Sequence, residues 1–370
     1  MLKTLIKNNI SPKVWSKLAA LKHYFLTRNE VSPFSEKLVE SKKIFILGAA
    51  DYENLGDHAI AYAQYQYIIE TLIESKESSE FTVVEVPSRT PIRFVKNIVM
   101  PKDIFLYTGG GNLGTTYKML DAIFLPIIKA YPNNSHLFFP QSFTFLENDS
   151  ARRRTRIKAI FDKAGKNLTI TARESKSKKL FEDYFDRNTI IFTPDIVMML
   201  DLASDYNNLS RKGIAMLMRG DGEKVLSESE QSVLRDMLKV NHQVDFEVAN
   251  DDLAVVLPPD RDEVLKNLWA SVAKHELVIT DRLHGMIFAK ITGTPCIAID
   301  NQNSKIKMTY MDWLQDAKQI AFIDPRDSIQ VNQIVGLANE LIATPAINVP
   351  LSKQYQVLTD KLTELILAQV

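Results

Sequence analysis

Short apolar runs rich in β-branched and aromatic residues recur along the chain, separated by stretches with helical spacing. The first six runs fall at Ile44–Leu47, Phe81–Val86, Ile104–Tyr107, Leu137–Phe139, Leu168–Thr171 and Ile190–Phe192. Runs this short and this apolar are typical of buried strands in a parallel sheet. Helical spacing between them is clearest at Ala59–Ser75, Tyr117–Ala130 and Glu174–Phe185. The alternation predicts a parallel sheet that is covered by helices on both faces.

A polar segment at Ser204–Lys212 interrupts this series, and a second series follows it. Its apolar runs lie at Ile214–Met218, Val244–Val248, Leu277–Thr280, Cys296–Ile299 and Ile320–Ile323. Helical spacing then continues near the end at Leu351, Tyr355, Leu358, Leu362 and Leu365. We therefore expect an α/β fold of two Rossmann-like domains that face each other across a cleft. The expected divisions are an arm at 1–38, a first domain at 39–205, a second domain at 206–348, and a helix at 349–370 that packs back on the body.

The first 29 residues form a basic segment that contains no acid. Their six cations are Lys3, Lys7, Lys13, Lys17, Lys22 and Arg28. Val14, Leu18, Leu21 and Phe25 fall at 4-3-4 spacing, which predicts a basic amphipathic helix. Two interpretations stay open: the helix packs on the body with its lysines in water, or it makes a peripheral contact with a membrane surface.

Composition narrows the class of protein. The 370 residues balance 45 Lys and Arg against 45 Asp and Glu, so no overall field favours nucleic acid. The single cysteine, Cys296, lies in an apolar run and suits a reduced thiol in a cytoplasmic protein. No apolar stretch approaches the roughly 18 residues that span a bilayer. We expect a cytoplasmic protein, peripheral at most. Its six histidines are scattered, so we expect no metal site. We also expect no cofactor.

Polar residues follow the first predicted strand, at the edge where open α/β sheets bind their ligands. Asn54, Asp57 and His58 surround Gly56 there. Asp57 is well placed as the N-cap of the next helix. Capping explains Asp57 alone, whereas the whole cluster suits contacts with sugar hydroxyls.

A run of three glycines, Gly109 to Gly111, follows the third predicted strand and leads to Asn112. Glycines let a ligand or another backbone segment approach closely and leave backbone N–H groups accessible. The run is neither a P-loop nor a dinucleotide fingerprint. Ligand binding and tight strand-to-helix packing explain it equally well.

Two further clusters follow later strands of the first domain. Gln141 comes after the run that ends at Phe139, and Arg173 comes after Thr171. An arginine at a strand's carboxyl end, beside a helix start, suits an anion anchor. A salt bridge with Glu174, or with a carboxylate elsewhere in the fold, is the alternative role for Arg173.

The most distinctive cluster ends the strand at Leu277–Thr280. Asp281 and Arg282 follow that strand, and His284 with Gly285 enters the next helix. A helix N-terminus favours an anion, and Arg282 and His284 lie two residues apart beside it. Histidine can exchange a proton near neutral pH. This cluster therefore predicts an anion site with an acid–base group.

At these residues the chain resembles the polysaccharide pyruvyl transferase family, in particular its exopolysaccharide branch. The matching stretches, in order, are Tyr52–Ile60, Gly109–Gly114, Phe139–Ser142, Ala172–Ser175, Thr193–Ile196, Leu217–Glu223, Thr280–Gly285, Gly293–Pro295, Asp300–Asn301 and Lys305. The resemblance implies a GT-B-like fold and phosphoenolpyruvate as the donor substrate. It also implies transfer of the pyruvyl group to a sugar of a surface polysaccharide or its precursor, lipid-linked or free, as a cyclic ketal.

The resemblance implies donor binding by Arg282, Leu283, His284, Arg173 and Arg219, and catalysis by His284. Together with the clusters described above, it gives the following candidates. The catalytic candidates are His284, Arg282 and Asp281. The candidates for donor binding are Arg282, Leu283, His284, Arg173, Arg219 and Lys305. The candidates for acceptor binding are Asn54, Asp57, His58, Gly110, Gly111, Asn112 and Gln141.

Two loops depart from the usual pattern of that family. Gly114–Tyr117 stands where relatives often have Gly-Asp and an aromatic residue, and Asn301–Lys305 replaces a more common Asn-Ser-Tyr-Gly-Lys. Both loops shape the expected acceptor pocket, so the acceptor sugar stays open. Two rival functions also stay open. One is a glycosyltransferase that holds the ribose of a nucleotide sugar with Asp300 or Asp281, and the other is a catalytically inactive scaffold in a polysaccharide assembly complex.

Overall fold

The computed structural model describes most of the chain after the basic arm. The described residues are 34, 38, 41–114, 119–144, 150–220, 224–249, 256–327, 331–344 and 349–370. The helix predicted for residues 1–29 lies outside the described residues, as do residues 115–118 of the first departing loop.

The first sheet has seven parallel strands in the order β2-β1-β3-β5-β6-β7, with β4 pairing to β5. Its strands are β1 (Lys42–Ala49), β2 (Phe81–Pro87), β3 (Ile104–Tyr107), β4 (Gly110–Gly114), β5 (Ser135–Thr144), β6 (Leu168–Ala172) and β7 (Thr189–Phe192). The helices of this half are α1 (Leu55–Glu74), α2 (Ile92–Lys96), α3 (Leu125–Ala130), α4 (Ala151–Ala164) and α5 (Ser175–Tyr184). A π-helical turn at Leu120–Phe124 leads directly into α3.

The second sheet has five parallel strands in the order β12-β11-β10-β8-β9. Its strands are β8 (Ile214–Arg219), β9 (Val244–Ala249), β10 (Leu277–Thr280), β11 (Cys296–Ile299) and β12 (Ile320–Ile323). The helices of this half are α6 (Glu228–Leu238), α7 (Arg261–Ala273), α8 (Leu283–Ile291), α9 (Lys305–Thr309) and α10 (Val331–Ala343), and α11 (Gln356–Leu367) follows. The predicted α/β architecture of two facing, GT-B-like Rossmann domains is confirmed.

One apolar core joins the two sheets. It contains Ile44 from β1, Trp269 from α7, Met286 from α8 and Leu362 from α11 in a single cluster of buried side chains. Separate clusters cover the outer face of each sheet. The helices between the sheets therefore bury apolar side chains against both of them, which holds the carboxyl ends of the two sets of strands close together.

The last helix, α11, returns to the first domain. Tyr67 on α1 hydrogen bonds with Thr359 Oγ1 at 2.6 Å, and the Tyr355 hydroxyl donates to the Asp195 backbone carbonyl at 2.5 Å. The spacing of Leu358, Leu362 and Leu365 buries one face of this helix. The chain thus returns to pack on the first domain after it has formed the second.

The local structure differs from the sequence pattern at three places. The first helix begins at Leu55 rather than Ala59, and Asn54 is its N-cap, so the prediction that Asp57 caps it is wrong. The Asn54 side chain accepts from the backbone N–H groups of Gly56 and Asp57, which leaves Asp57 within the first turn. Strand β4 lies in the glycine run, and β5 is longer than the predicted run at Leu137–Phe139.

Within the described residues, no helix combines the length and the apolar character that crossing a membrane requires.

Candidate active site

His284 is held at the start of α8 by a turn that the strand before it fixes. The Thr280 hydroxyl donates to the Leu217 carbonyl at 2.7 Å and accepts from the Arg282 backbone N–H at 3.1 Å. Arg282 is the N-cap residue, in extended conformation. A Cβ on Gly285 would lie 3.1 Å from the Cβ of Thr280, so the lack of a side chain there lets the helix start this close to the strand.

The imidazole of His284 packs directly on Gly56 of the other domain. A Cβ built on Gly56 would overlap Nδ1 of the ring and would lie 2.6 Å from its Cγ. Because no real Cβ makes such contacts, only glycine at position 56 permits this approach. The cluster around Gly56 and the cluster around His284 therefore meet across the domain junction.

The other ring nitrogen of His284 faces a buried carboxylate. Nε2 lies 3.9 Å from Asp195 Oδ2 and has no hydrogen-bond partner among the described residues. Asp195 is 1% exposed; its Oδ2 accepts from Arg173 Nη1 at 2.5 Å, and its Oδ1 accepts from the Val197 N–H at 3.1 Å. Asp195 thus accepts a hydrogen bond from Arg173 and lies beside His284.

The pKa of His284 lies below its ordinary value, chiefly because burial disfavours the charged ring. Asp195 and Asp57 act in the opposite direction, whereas Arg173 and Arg282 lower the pKa further. Four charged groups thus converge on one imidazole, two of each sign. A bound anion at the arginines would shift this balance toward the imidazolium.

Arg173 is almost completely buried in a polar network at the ends of β5 and β6. Its Nε donates to the Ser142 hydroxyl at 2.8 Å, and that hydroxyl donates to Glu174 at 2.9 Å. Burial raises the pKa of Glu174, while Arg173, Ser177, Ser142 and Lys305 lower it, in that order. Trp313 Nε1 donates to the Arg173 carbonyl at 2.8 Å, so the second domain contacts this segment as well.

Asp281 lies beneath the loop that carries Arg219. Its Oδ1 accepts from the Arg219 backbone N–H at 2.7 Å, and its Oδ2 has no hydrogen-bond partner among the described residues. Burial raises the pKa of Asp281, against hydrogen bonding from Arg219 and the charges of Arg219 and Arg282. Asp281 is 1% exposed and supports the backbone of a donor-site candidate.

Several acceptor candidates lie together on the first domain. The Tyr52 hydroxyl donates to Asp57 Oδ2 at 3.0 Å, and Asp57 Oδ1 lies 3.6 Å from where a Cβ of Gly110 would be. Gly110 has φ +98°, a left-handed conformation that favours glycine. The Asn112 amide donates to the Gly109 carbonyl at 3.1 Å. The cluster after β1 and the glycine run therefore form one polar surface, with Gly111 partly exposed and Asn54 exposed at its edge.

Two acceptor candidates are instead used by the fold. Gln141 is completely buried; it accepts from the Leu113 N–H at 3.1 Å and donates to the Thr108 carbonyl, which attaches β4 to β5. His58 is also completely buried, and its Nε2 donates to the Tyr52 carbonyl at 2.6 Å while its Nδ1 accepts from Arg261 Nε at 3.3 Å. Neither side chain has a polar group directed to a ligand, so we place both in the supporting structure.

Sequence reasoning gave no role to Asp195 or Arg261. Asp195 follows β7, so its place at a strand's carboxyl end was a usable signal. Arg261 looks like an exposed residue at a helix start, yet it is 4% exposed and makes a bidentate salt bridge to Glu85 at 2.8 Å for both bonds. Within the described residues, no three histidine, cysteine or acidic side chains are grouped as metal ligands would be.

Comparison with known proteins matches this arrangement to one family. The family model for polysaccharide pyruvyl transferase matches residues 54–303, which include every site residue described above except Tyr52, Lys305 and Trp313. General stress protein 30 of Bacillus subtilis is 31% identical over 324 residues, 87% of this chain and 92% of that protein.

Two further proteins are similar to this chain over most of its length. Pyruvyl transferase 1 of Schizosaccharomyces pombe is 24% identical over 292 residues, 74% of this chain and 70% of that protein. The crystal structure of a functionally uncharacterised Klebsiella pneumoniae protein superimposes with a TM-score of 0.50 at 18% identity, over 82% of this chain and 98% of that one. That likeness concerns the fold alone. The chain belongs to the polysaccharide pyruvyl transferase family.

Proposed function

We propose that this protein transfers the pyruvyl group of phosphoenolpyruvate to two hydroxyls of one sugar in a surface polysaccharide or its precursor, forming a cyclic ketal and releasing phosphate. The observation that carries the proposal is the placement of His284. Its Nε2 is buried beside Asp195 and has no hydrogen-bond partner among the described residues. The positive charges of Arg173 and Arg282 also act on this ring and lower its pKa.

The basic residues at this junction suit a donor with two anionic groups. Phosphoenolpyruvate carries a carboxylate and a phosphate, and guanidinium groups bind both in bidentate fashion. The charges of Arg173 and Arg282 lower the pKa of His284, and the charge of Lys305 lowers the pKa of Glu174, the residue after Arg173. In this proposal Arg282, Arg173 and Lys305 hold the donor anions, with Arg219 and Leu283 at the margin of the same site.

The proposed acid is His284. Without donor its pKa is low, and the anions of the bound donor raise it, so the ring becomes protonated where the methylene carbon arrives. Asp195 stabilises the imidazolium in the same way. Asp281 acts as a support of this site rather than as the acid, because it is 1% exposed and its Oδ1 accepts from the Arg219 backbone N–H.

His284 gives its proton to C3 of the donor, which becomes a methyl group, and C2 becomes an oxocarbenium centre. A sugar hydroxyl adds to C2 and gives up its proton, which restores His284. The C2–O bond to phosphate then breaks, a second hydroxyl of the same sugar adds to C2, and its proton leaves with the phosphate.

The proposed acceptor surface lies on the first domain. Asp57, Gly110 and Asn112 are adjacent there, with Asn54 and Gly111 at its edge. Carboxylate, amide and backbone groups at such a surface suit hydrogen bonds with sugar hydroxyls. We propose a glycan acceptor, either carried on a lipid or free, and no metal or other cofactor.

The geometry disfavours a nucleotide-sugar transferase that binds ribose through Asp300 or Asp281. Asp300 is completely buried, accepts from the Lys307 N–H at 3.1 Å and pairs with Arg326. Asp281 is equally enclosed. Both carboxylates are therefore shielded from solvent, where a ribose would bind.

Phosphate release from phosphoenolpyruvate, assayed with lipid-linked and free glycans, tests the function. We expect acceptor-dependent release together with the mass increase of a ketal. His284→Gln should lower kcat by about 10²-fold or more, the usual loss for a general acid, with a smaller effect on donor affinity in calorimetry. Near wild-type turnover by His284→Gln would exclude His284 as the acid. A thermal shift with a nucleotide sugar, and none with phosphoenolpyruvate, would contradict the donor.

A further inference from the structure

Three helices on the outer face of the first sheet carry a local excess of positive charge. α2, the segment 120–130 that ends in α3, and α4 together contain two acids, Asp121 and Asp162. Their basic residues are Arg93, Lys96, Lys129, Arg152, Arg153, Arg154, Arg156, Lys158 and Lys163. The whole chain has as many acids as bases, so this face is distinctly basic.

A groove of about 410 Å³ lies within this face. Its lining residues are Lys96, Leu125, Pro126, Lys129, Ala130, Arg156 and Ile160. The three cations are exposed and form no ion pair within the part of the chain that the structure describes, and the other four lining residues are apolar. An apolar floor with three cations at its rim suits a phosphate that is joined to a hydrocarbon chain.

The groove lies away from the proposed active site. α2 ends at Lys96, before β3 begins, and α3 ends at Ala130, before β5 begins, which places both helix ends near the amino ends of the strands. β1 begins at Lys42, at the same edge. Phe34 and Leu38 pack against the apolar cluster on this outer face. The groove, Phe34 and Leu38 therefore lie on the same outer face of the first sheet.

We propose that this face docks on an anionic phospholipid bilayer, with a lipid phosphate between Lys96, Lys129 and Arg156 and the adjoining methylenes on Leu125 and Ile160. Basic clusters are attracted to anionic lipid surfaces, and the apolar floor adds contacts that an aqueous polyanion would not use. No aromatic residue lines the groove, whereas single-stranded nucleic acid usually binds by stacking on aromatic rings. The proposal is independent of the reaction proposed above.

Flotation of the full-length protein with vesicles tests the docking. The vesicles are phosphatidylglycerol with phosphatidylcholine, or phosphatidylcholine alone. The groove variant is Lys96→Glu/Lys129→Glu/Arg156→Glu, and a Gln version at the same positions guards against misfolding. The control, Lys239→Glu/Lys266→Glu/Lys318→Glu, makes the same charge change at exposed lysines of the second domain. A variant with Lys13→Glu/Lys17→Glu/Lys22→Glu tests the arm separately.

We expect flotation with the anionic vesicles only, and a loss of at least about tenfold in the groove variant with little change in the control. The groove variant should keep wild-type affinity for phosphoenolpyruvate. Equal flotation of the groove variant and wild type would overturn the proposal, as would an equal loss in the control. Displacement by inorganic phosphate at low concentration would indicate an isolated phosphate site instead. Groove-dependent binding of a short RNA without flotation would assign the face to nucleic acid and equally overturn it.

Discussion

At the scale of single residues, the position of the His284 ring depends on the absence of a side chain at Gly56 in the opposite domain. Gly56 contributes no side chain, and the ring occupies that space. Asp195 contributes a buried negative charge 3.9 Å from Nε2. One neighbour therefore sets where the imidazole lies, and the other affects how readily it is protonated.

Substitution of Gly56 should change the position of the His284 ring without changing any charge around it. In Gly56→Ala the new methyl overlaps the imidazole, so the ring must move, and a displacement of about 1 Å is enough to lower kcat by about 10²-fold. Gly336→Ala is the matched control, because a Cβ there meets no atom within 4 Å. Steady-state kinetics with phosphoenolpyruvate measures both variants. Wild-type turnover by Gly56→Ala would show that the contact does not position the acid.

Substitution of Asp195 should move the pH dependence. Asp195 raises the pKa of His284, so Asp195→Asn lowers that pKa further, and the protonated ring is lost at a lower pH as the pH rises. We expect the alkaline limb of kcat/KM to shift to lower pH. Asp186→Asn removes an exposed carboxylate that pairs with Lys158, and it should leave the limb unchanged. A uniform rate loss with an unmoved limb would mean that Asp195 acts only through folding.

At the scale of elements, the start of α8 combines three features that favour an anion. The helix presents its positive end, Arg282 is its N-cap residue, and the turn is tightened by Thr280 against Gly285. β10 places this helix start at the carboxyl edge of its sheet. The backbone geometry and the side-chain charge thus both favour an anionic ligand at the start of α8.

Arg282 should contribute strongly to donor affinity. Arg282→Ala is expected to weaken phosphoenolpyruvate binding by about 2–4 kcal/mol, because a charge-assisted contact is lost. Arg282→Lys should recover little of it, since an ammonium group cannot form the bidentate contact of a guanidinium. Calorimetry measures both, with the exposed Arg187→Ala as the control. Unchanged affinity in Arg282→Ala would remove Arg282 from the donor site.

At the scale of the whole molecule, the site exists only while the two domains stay in contact. Arg261 on α7 pairs with Glu85 on β2, and its guanidinium also reaches the Ala50 carbonyl at 3.1 Å and His58. α11 adds a second connection through Tyr355. These contacts, with the shared apolar core, keep Gly56 against His284.

Loss of Arg261 should destabilise the protein as a whole. Arg261→Leu leaves Glu85 without its partner and is expected to lower the free energy of unfolding by about 3–5 kcal/mol. Arg261→Leu/Glu85→Leu should recover part of this, because no unpaired charge remains in the contact. Lys42→Ala, which breaks an exposed pair with Glu80, should cost less than about 1 kcal/mol. Urea unfolding measures all three, and equal stability of Arg261→Leu and wild type would contradict a structural role for the pair.

The sequence by itself determined eleven of the twelve described strands, the order of the two α/β halves and the clusters that contain His284, Arg282, Arg173 and Asp57. Apolar runs and helical spacing are local patterns, and the carboxyl ends of parallel strands meet at one edge, so neighbours along the chain suffice to predict them. The match of residues 54–303 to one family has the same basis in local motifs.

Only the tertiary structure decided which of these residues are available to a ligand. β4 forms in a run of low strand propensity because β5 and Gln141 supply its hydrogen bonds. His58 and Arg261 are buried because the domains close on them, and Gly56, Asp195 and His284 meet although they are distant in sequence. Such contacts depend on how two separate sheets pack, which no local pattern encodes.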